Sequence, residues 1–421
     1  MSTIFAPITG RGGAVAVIRL SGPLSLPITQ ELAGTLPPPR RAGLRRLNFA
    51  GTLLDEALIL TFPAPGSFTG EDVVEISIHG GRAVLAAVSG ALVALGARPA
   101  EAGEFSRRAF ENGRMDLLQA EAIADLIEAE TEAQRRQALT GGLHESCLAW
   151  RERLRHLLAY QEALIDFPDE DLPPEVEASL TDGIASLRDE MQAALHAAPA
   201  AERLREGLDF VILGPPNAGK STLLNALAGE DIAIVSDLPG TTRDAIGVRV
   251  DLGGVPVRLT DTAGLRDTGD KIEAEGMRRA IARAQTADLV ILVAGPDDIF
   301  AAPPVDVVSL QVRTKADLLR DSREFCVSAK TGLGMPALRT RLVEEAASLT
   351  DRHGAAALAR PRQIACVRDT MMALDRAVEL QEPELRGEEL RSAAQALARL
   401  AGGIGVEEIL DAVFSGFCIG K

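Results

Sequence analysis

Gly214, Gly219, Lys220 and Ser221 stand at the spacing G-x-x-x-x-G-K-S, between a short apolar run (Phe210 to Leu213) and a helix-like segment, STLLNALAG. Successive backbone N–H groups of such a loop form an anion-binding nest, backed by the positive end of the following helix. Asn217, Ala218, Gly219 and Thr222 line the loop, Lys220 reaches the β- and γ-phosphates, and the Ser221 hydroxyl ligates Mg2+. Downstream, Asp261-Thr262-Ala263-Gly264 ends an apolar stretch, which suits a strand-end carboxylate holding Mg2+ through water. Between the two lies Gly240-Thr241-Thr242-Arg243-Asp244, where Thr242 can close over a γ-phosphate and give its hydroxyl to the metal. Base choice comes from Thr314-Lys315-Ala316-Asp317 and from Ser328-Ala329-Lys330. Guanine offers two neighbouring N–H donors, and an ionised Asp317 accepts both, whereas adenine leaves the carboxylate unpaired. The reading is GTP rather than ATP. The usual pattern here is NKxD; Thr314 replaces the Asn and supplies part of its contacts, so weaker affinity is expected.

The residue after DTAG is Leu265, where many small GTPases carry a Gln that orients the attacking water. Either hydrolysis is very slow or other groups position water and neutralise charge. Asn217 and carbonyls of the segment Ser236 to Thr241 can bind a monovalent cation, since backbone carbonyls replace a K+ hydration shell. Glu273, in DKIEAEG, is on its own either a solvated helix residue or a carboxylate acting on water.

The elements that must position these groups follow from the same sequence. Residues 208–340 alternate strand and helix, as a mostly parallel α/β domain does. Between LVILVA (289–294) and VVSLQVRT (307–314) there is too little chain for a crossover helix, and Pro303-Pro304 break one; a truncated, irregular connection is expected. Residues 1–112 mix short β-like runs with Gly/Pro-rich turns and one helix at 82–96, an α+β pattern. Helical periodicity runs from Leu117 to about Arg205, broken by the acidic, Pro-containing DFPDEDLPPEVE, and returns over 358–418. A helical layer interrupted by an α/β unit implies an inserted domain whose two ends lie close together. The expected division is 1–115, 116–206, 207–342 and 343–421.

The 421 residues suffice for two or three domains, and the net charge is −16. A chain this acidic does not coat nucleic acid by bulk charge, and Arg40-Arg41 with Arg45-Arg46 reads first as a solvated loop. Aromatic residues make up only 3%, which disfavours a single-strand stacking platform. Four scattered cysteines (Cys147, Cys326, Cys366, Cys418) show no metal spacing and fit a reducing compartment. No signal peptide and no membrane span are expected, so the chain is expected to be cytoplasmic.

Taken together, GRGGAVAVIRLSG (10–22), SFTGEDVVEISIHGG (67–81), GEFSRRAFENGRMDLLQAEAIADLI (103–127), DFPDED (166–171), the nucleotide motifs and the terminal FCIGK (417–421) resemble the MnmE (TrmE) family of tRNA modification GTPases over nearly the whole chain. The resemblance implies a multidomain α+β and α/β fold. Its parts are an N-terminal α+β folate-binding and dimerisation domain, a discontinuous helical domain, and an inserted Ras-like P-loop GTPase domain. It implies a homodimer that works with the flavoprotein MnmG (GidA), in a heterotetramer or larger assembly. Together they add an aminomethyl-type group at C5 of the wobble uridine of certain tRNAs. The carbon comes from 5-formyl- or 5,10-methylene-tetrahydrofolate, and GTP hydrolysis uses Mg2+ and K+. On this chain the family's folate contacts fall on Arg19, Glu75, Arg114 and Lys421, with Arg114 where many members have Lys. The K+ ligands fall on Asn217, Ser236, Leu238 and Thr241, the Mg2+ ligands on Ser221 and Thr242, and the water-positioning acid on Glu273. Cys418 matches a cysteine the family needs for modification. Two other functions compete: a GTP-hydrolysing binding switch of the ribosome-assembly type, and a one-carbon transfer module with a vestigial GTPase domain. Folate retention separates the first from the enzyme, and robust GTP turnover removes the second.

Overall fold

Alternating apolar residues build the N-terminal sheet, and the direction of each alternation decides what its faces carry. The computed structural model describes residues 2–10, 12–140, 142–166, 174–229, 247–261, 281–302, 307–319 and 325–403, with Leu410, Val413, Phe414, Phe417 and Gly420 near the C-terminus. The chain falls into two units, Met1–Ala124 with Leu397–Lys421, and Asp125–Ala396.

In the first unit, strands β1 (Ile4–Pro7), β2 (Val15–Ser21), β3 (Gly43–Phe49), β4 (Thr52–Phe62), β5 (Val73–His79) and β6 (Arg98–Pro99) form a sheet of order β3-β4-β5-β2-β1-β6. Ala16, Ile18 and Leu20 point one way with Ile59, Val74, Ile76 and Ile78. Helices α1 (Ser25–Ala33) and α2 (Arg82–Ala94) add Ile28, Leu32, Val88 and Leu92 to that core. On the opposite face Ile4 and Ala6 pack with Ala100 and with Phe105 of helix α3 (Glu104–Glu111). Arg19 lies on this second face, because the β1–β2 register sets Ala6 opposite it. Helix α4 (Leu117–Glu128) contributes Leu117, Ala120 and Ala124 to a cluster with Leu410, Phe414 and Phe417, so C-terminal residues close this unit.

The second unit begins with a difference from expectation. The helical run from Leu117 is three helices, with α5 (Glu132–Thr140) and α6 (Leu143–Asp166) following α4. The Gln134 Oε1 accepts the N–H groups of Glu130 and Thr131 at 2.9 and 3.2 Å, which starts a new helix there. Gly142, at φ +74°, separates α5 from α6. Helix α7 (Pro174–Glu206) follows, and the acidic break between α6 and α7 is mostly outside the described residues.

Strands β7 (Leu208–Leu213), β8 (Gly247–Leu252), β9 (Val255–Asp261), β10 (Leu289–Ala294) and β11 (Ser309–Arg313) form a sheet of order β11-β10-β7-β9-β8. All neighbours are parallel except β8 and β9. All six residues of β10 are buried, as an unbroken apolar run in a doubly covered parallel sheet must be. Helices α8 (Lys220–Leu227) and α9 (Met335–Thr350) supply Leu223, Leu227, Leu338 and Leu342 to the core on one face. On the other face, residues 295–302 of the expected truncated crossover contain no helix, and residues 303–306 lie outside the described residues. The Arg313 guanidinium donates to the carbonyls of Gly295 and Asp298 at 2.6 and 3.1 Å. It also lies 4.8 Å from the Phe300 ring centre. Phe300 and Ala301 then pack, with Ala284 and Ala287, against Val211, Leu213, Val290 and Leu292.

Helices α10 (Pro361–Glu379) and α11 (Pro383–Leu400) complete the helical segment, and α6 and α10 both pack along α7. The α/β sheet is inserted between α7 and α10, and its entry and exit meet. Ala201 shares a buried cluster with Ala357 and Ala359, and Asp125 binds both Arg205 and Arg360.

Candidate functional site

The phosphate loop leaves β7, the central strand, at the point where its neighbours β9 and β10 diverge to opposite sides. Open α/β sheets bind ligands at such switch points. Gly214 is required there, since a Cβ would stand 2.0 Å from the carbonyl oxygen of Val293 on β10. Asn217 takes a left-handed conformation, φ +61°, and Gly219 another before α8 begins. Ala218 and Lys220 are buried, while Asn217, Ser221 and Thr222 are exposed. The Lys220 ammonium donates to the carbonyls of Gly214 and Pro215 at 2.9 and 2.8 Å. Those bonds offset the cost of a charge that is only 6% exposed.

Asp261 ends β9 beside the loop, 7% exposed, and accepts the Ser221 hydroxyl on Oδ2. One hydroxyl and one carboxylate suit Mg2+, which takes few protein ligands and completes its shell with water and phosphate. Thr262, Ala263, Gly264, Leu265, Glu273, Ser236, Leu238, Thr241 and Thr242 lie outside the described residues.

The segment Thr314 to Asp317 is fastened to the same loop. The buried Thr314 hydroxyl reaches the carbonyl of Ala218, and the Lys315 ammonium donates to the carbonyl of Asn217 at 2.8 Å. Thr314 therefore ties the base loop to the phosphate loop through its hydroxyl. Asp317 is exposed, and Ser328 donates to its Oδ1 at 2.6 Å. That bond, with smaller help from a backbone bond and from Lys330, holds the Asp317 carboxyl below the usual carboxylate range. The carboxylate is thus ionised and acceptor-only, as pairing with two N–H donors requires. Ala329 is half-buried and Lys330 exposed beside it.

The second constellation lies on the N-terminal sheet. Arg19 and Glu75 are direct cross-strand partners, and Arg19 binds Glu75 Oε1 through Nε at 3.0 Å and Nη2 at 2.8 Å. The guanidinium sits 4.9 Å from the Phe68 ring centre. Phe68 belongs to a loop that also meets Arg114: a Cβ on Gly70 would lie 3.2 Å from Arg114 Cγ. Asn112 donates to the carbonyl of Thr69 at 2.7 Å. Gly420 packs on the carbonyl of Pro7, one residue from the Ala6 that opposes Arg19; Lys421 and Cys418 are outside the described residues. Sequence reasoning missed what braces this loop. Arg108, 6% exposed, binds Glu71 at 3.0 Å and Glu104 at 2.9 Å, and Glu71 also accepts the Ser21 hydroxyl at 2.6 Å. Only the Glu104/Arg108 spacing was visible in the sequence.

Two family models match this chain: the GTP-binding protein TrmE N-terminus over residues 3–114, and the MnmE helical domain over residues 117–418. The chain belongs to the MnmE family of tRNA modification GTPases. The MnmE of Acidiphilium cryptum is 59% identical over 99% of this chain and 98% of its own length. That of Granulibacter bethesdensis is 54% identical over 100% of this chain and 99% of its own. Among solved structures, the G domain of the T. maritima FeoB iron transporter is 24% identical. It covers 33% of this chain and 98% of its own, with a TM-score of 0.24. The Arg19–Glu75 constellation lies within the match to the TrmE N-terminus, and the phosphate-loop constellation lies within the residues matched by the MnmE helical domain. No helix of the described residues is long and apolar enough to cross a membrane.

Proposed function

We propose that this chain hydrolyses GTP to GDP and phosphate and couples that hydrolysis to modification at C5 of the wobble uridine, position 34, of certain tRNAs. It acts as a cytoplasmic homodimer with the flavoprotein MnmG. The observation that carries the reading is the fastening of Thr314 and Lys315 to the carbonyls of Ala218 and Asn217, which makes base recognition and phosphate grip one rigid site. In it, Asp317 accepts the two guanine N–H groups, and Lys220 exchanges its carbonyl partners for the β- and γ-phosphate oxygens. The loop N–H groups hold the remaining phosphate charge. Ser221 and Thr242 would hold Mg2+, with Asp261 behind Ser221, and the bound metal would supply charge neutralisation at the transferring phosphoryl group. Glu273 orients the attacking water and takes its proton, directly or through a second water. Asn217, Ser236, Leu238 and Thr241 would hold K+, which would supply the positive charge that an arginine finger supplies in other GTPases. Arg19, Glu75, Arg114 and Lys421 bind a one-carbon tetrahydrofolate. Glu75 Oε1 already holds Arg19, so its other oxygen is the acceptor for the pteridine edge. Arg114 and Lys421 pair with carboxylates of the glutamate tail, and Cys418 stands where the family needs a cysteine.

The test is GTP turnover in K+ against Na+, with retention of a reduced folate measured on the same chain. Faster hydrolysis in K+ and retained folate are expected. Equal rates in the two salts would reject the cation site, and turnover without folate retention would favour the binding-switch function.

A further inference from the structure

Helix α5 stands between the tip of the β8–β9 hairpin and the end of α7, bonded to each. At the hairpin, the Ala133 N–H donates to the carbonyl of Gly254 at 3.1 Å, and Ala133 packs against the apolar core under the sheet. Arg249 of β8 binds Glu130, two residues before α5, at 2.6 Å. At α7, the Gln134 side chain that starts α5 also donates through Nε2 to the carbonyl of Arg205 at 2.9 Å. One turn later Gln137 donates to the carbonyl of Ala201, also at 2.9 Å. Arg205 then meets Asp125, which it shares with Arg360 at the start of α10.

The hairpin is placed to carry a signal. β8 follows directly on the segment with Thr241 and Thr242, and β9 ends at Asp261, immediately before Thr262-Ala263-Gly264. The two strands are paired along their whole length, from Gly247↔Thr260 to Leu252↔Val255, so they move as one ribbon. A hairpin tip surrounded by water would absorb such a shift locally. This tip is bonded to a short helix that is itself bonded to α7.

We infer that α5 is a strut between the GTPase domain and the helical segment, with Glu130, Arg249 and Gln134 as positioning residues that couple hydrolysis to tRNA modification. The inference rests on the coupled function proposed above. Its elements are discrete packed pieces, and coupling between sites requires that the nucleotide bias their equilibrium, which the exchange measurement below reads directly.

The test uses the full chain carrying Arg249→Glu, Glu130→Arg, or both. The Arg249 side chain is 48% exposed and that of Glu130 19%, so the pair sits at the surface and contributes little to folding, and thermal melting of each variant checks that it is folded. Hydrogen exchange of the α5 amides is compared between GDP and a non-hydrolysable GTP analogue, beside GTP turnover and the level of modified wobble uridine in cells lacking their own copy. In the parent chain α5 exchange differs between the two nucleotides. In either single variant that difference collapses, modification falls about tenfold, within the range of typical coupling, and GTP turnover stays within about twofold. The double swap restores both. Identical α5 exchange in the two states of the parent chain overturns the strut, as does a fall in modification no larger than the fall in turnover. A parent chain with no GTP turnover overturns the proposed function together with it.

Discussion

Replacing Thr314 by Val removes one hydroxyl and keeps the shape of the side chain. The site is buried, Thr314 at 5% and Ala218 fully, so no water replaces the lost donor at the Ala218 carbonyl. Depriving a buried polar group of its partner costs roughly 1–3 kcal/mol. The Ala218 carbonyl lies in the phosphate loop, so the cost appears as loosening of the cradle that nucleotide must then restore. At about 1.4 kcal/mol per tenfold, GTP affinity should fall roughly five- to 150-fold. Thr314→Ser keeps the hydroxyl and should stay within about threefold of the parent, less than the loss of one net hydrogen bond. The assay is equilibrium titration with a fluorescent GTP analogue, alongside thermal melting of the free chain. Unchanged affinity in the Val variant would refute the fastening role; equal losses in Val and Ser would assign the effect to packing.

Three more substitutions probe Asp317, Ser328 and, in the N-terminal unit, Gly103. Asp317→Asn exchanges an acceptor-only group for one that presents donors to donors, so GTP affinity should drop by orders of magnitude and XTP should compete, because xanthine offers a carbonyl there. The Ser328 bond lowers the Asp317 pKa, so the carboxylate persists as pH falls through its ordinary range and is lost only below it. Guanine selectivity should therefore stay flat from about pH 8 to pH 5, and in Ser328→Ala its acid loss should begin at higher pH; a selectivity that decays near neutrality refutes this. Gly103→Ala would place a Cβ 2.3 Å from the carbonyl oxygen of Phe414 at φ +67°. The left-handed backbone alone costs about 1–2 kcal/mol, and the clash drives Phe414 off α3. The expected result is a lower melting temperature for the N-terminal unit with GTP turnover retained, and an unchanged melt would show that the tail is not seated there.

What the sequence revealed tracks how local each feature is. The phosphate loop is a strand, a turn and a helix within one short stretch, so Gly214 to Ser221 could be read directly. The missing crossover was also readable, because Pro303-Pro304 and chain length forbid a helix. The Arg313–Phe300 contact that replaces that helix joins positions on either side of the loop and needed the fold. Arg19 and Glu75 were assigned from family resemblance, and their mutual pairing depends on a register between strands 56 residues apart. The break at Ala129–Thr131 escaped because the residues there fit a helix, and the cap comes from Gln134, whose amide is also engaged by Arg205. Nothing local marks Asp125, because its partners Arg205 and Arg360 lie 80 and 235 residues away and meet it only in the fold.

That convergence gives the α/β domain one point of chain entry and exit on the helical segment, with Ala201, Ala357 and Ala359 buried together at the joint. The helices on either side of the insertion therefore pack on one another without chain passing between them. It also means that a bridge of a few residues joining the end of α7 to the start of α10 would close the helical segment after excision. The attachment is thus separable by genetic surgery, and a foreign domain whose ends lie equally near each other could hang from the same hook.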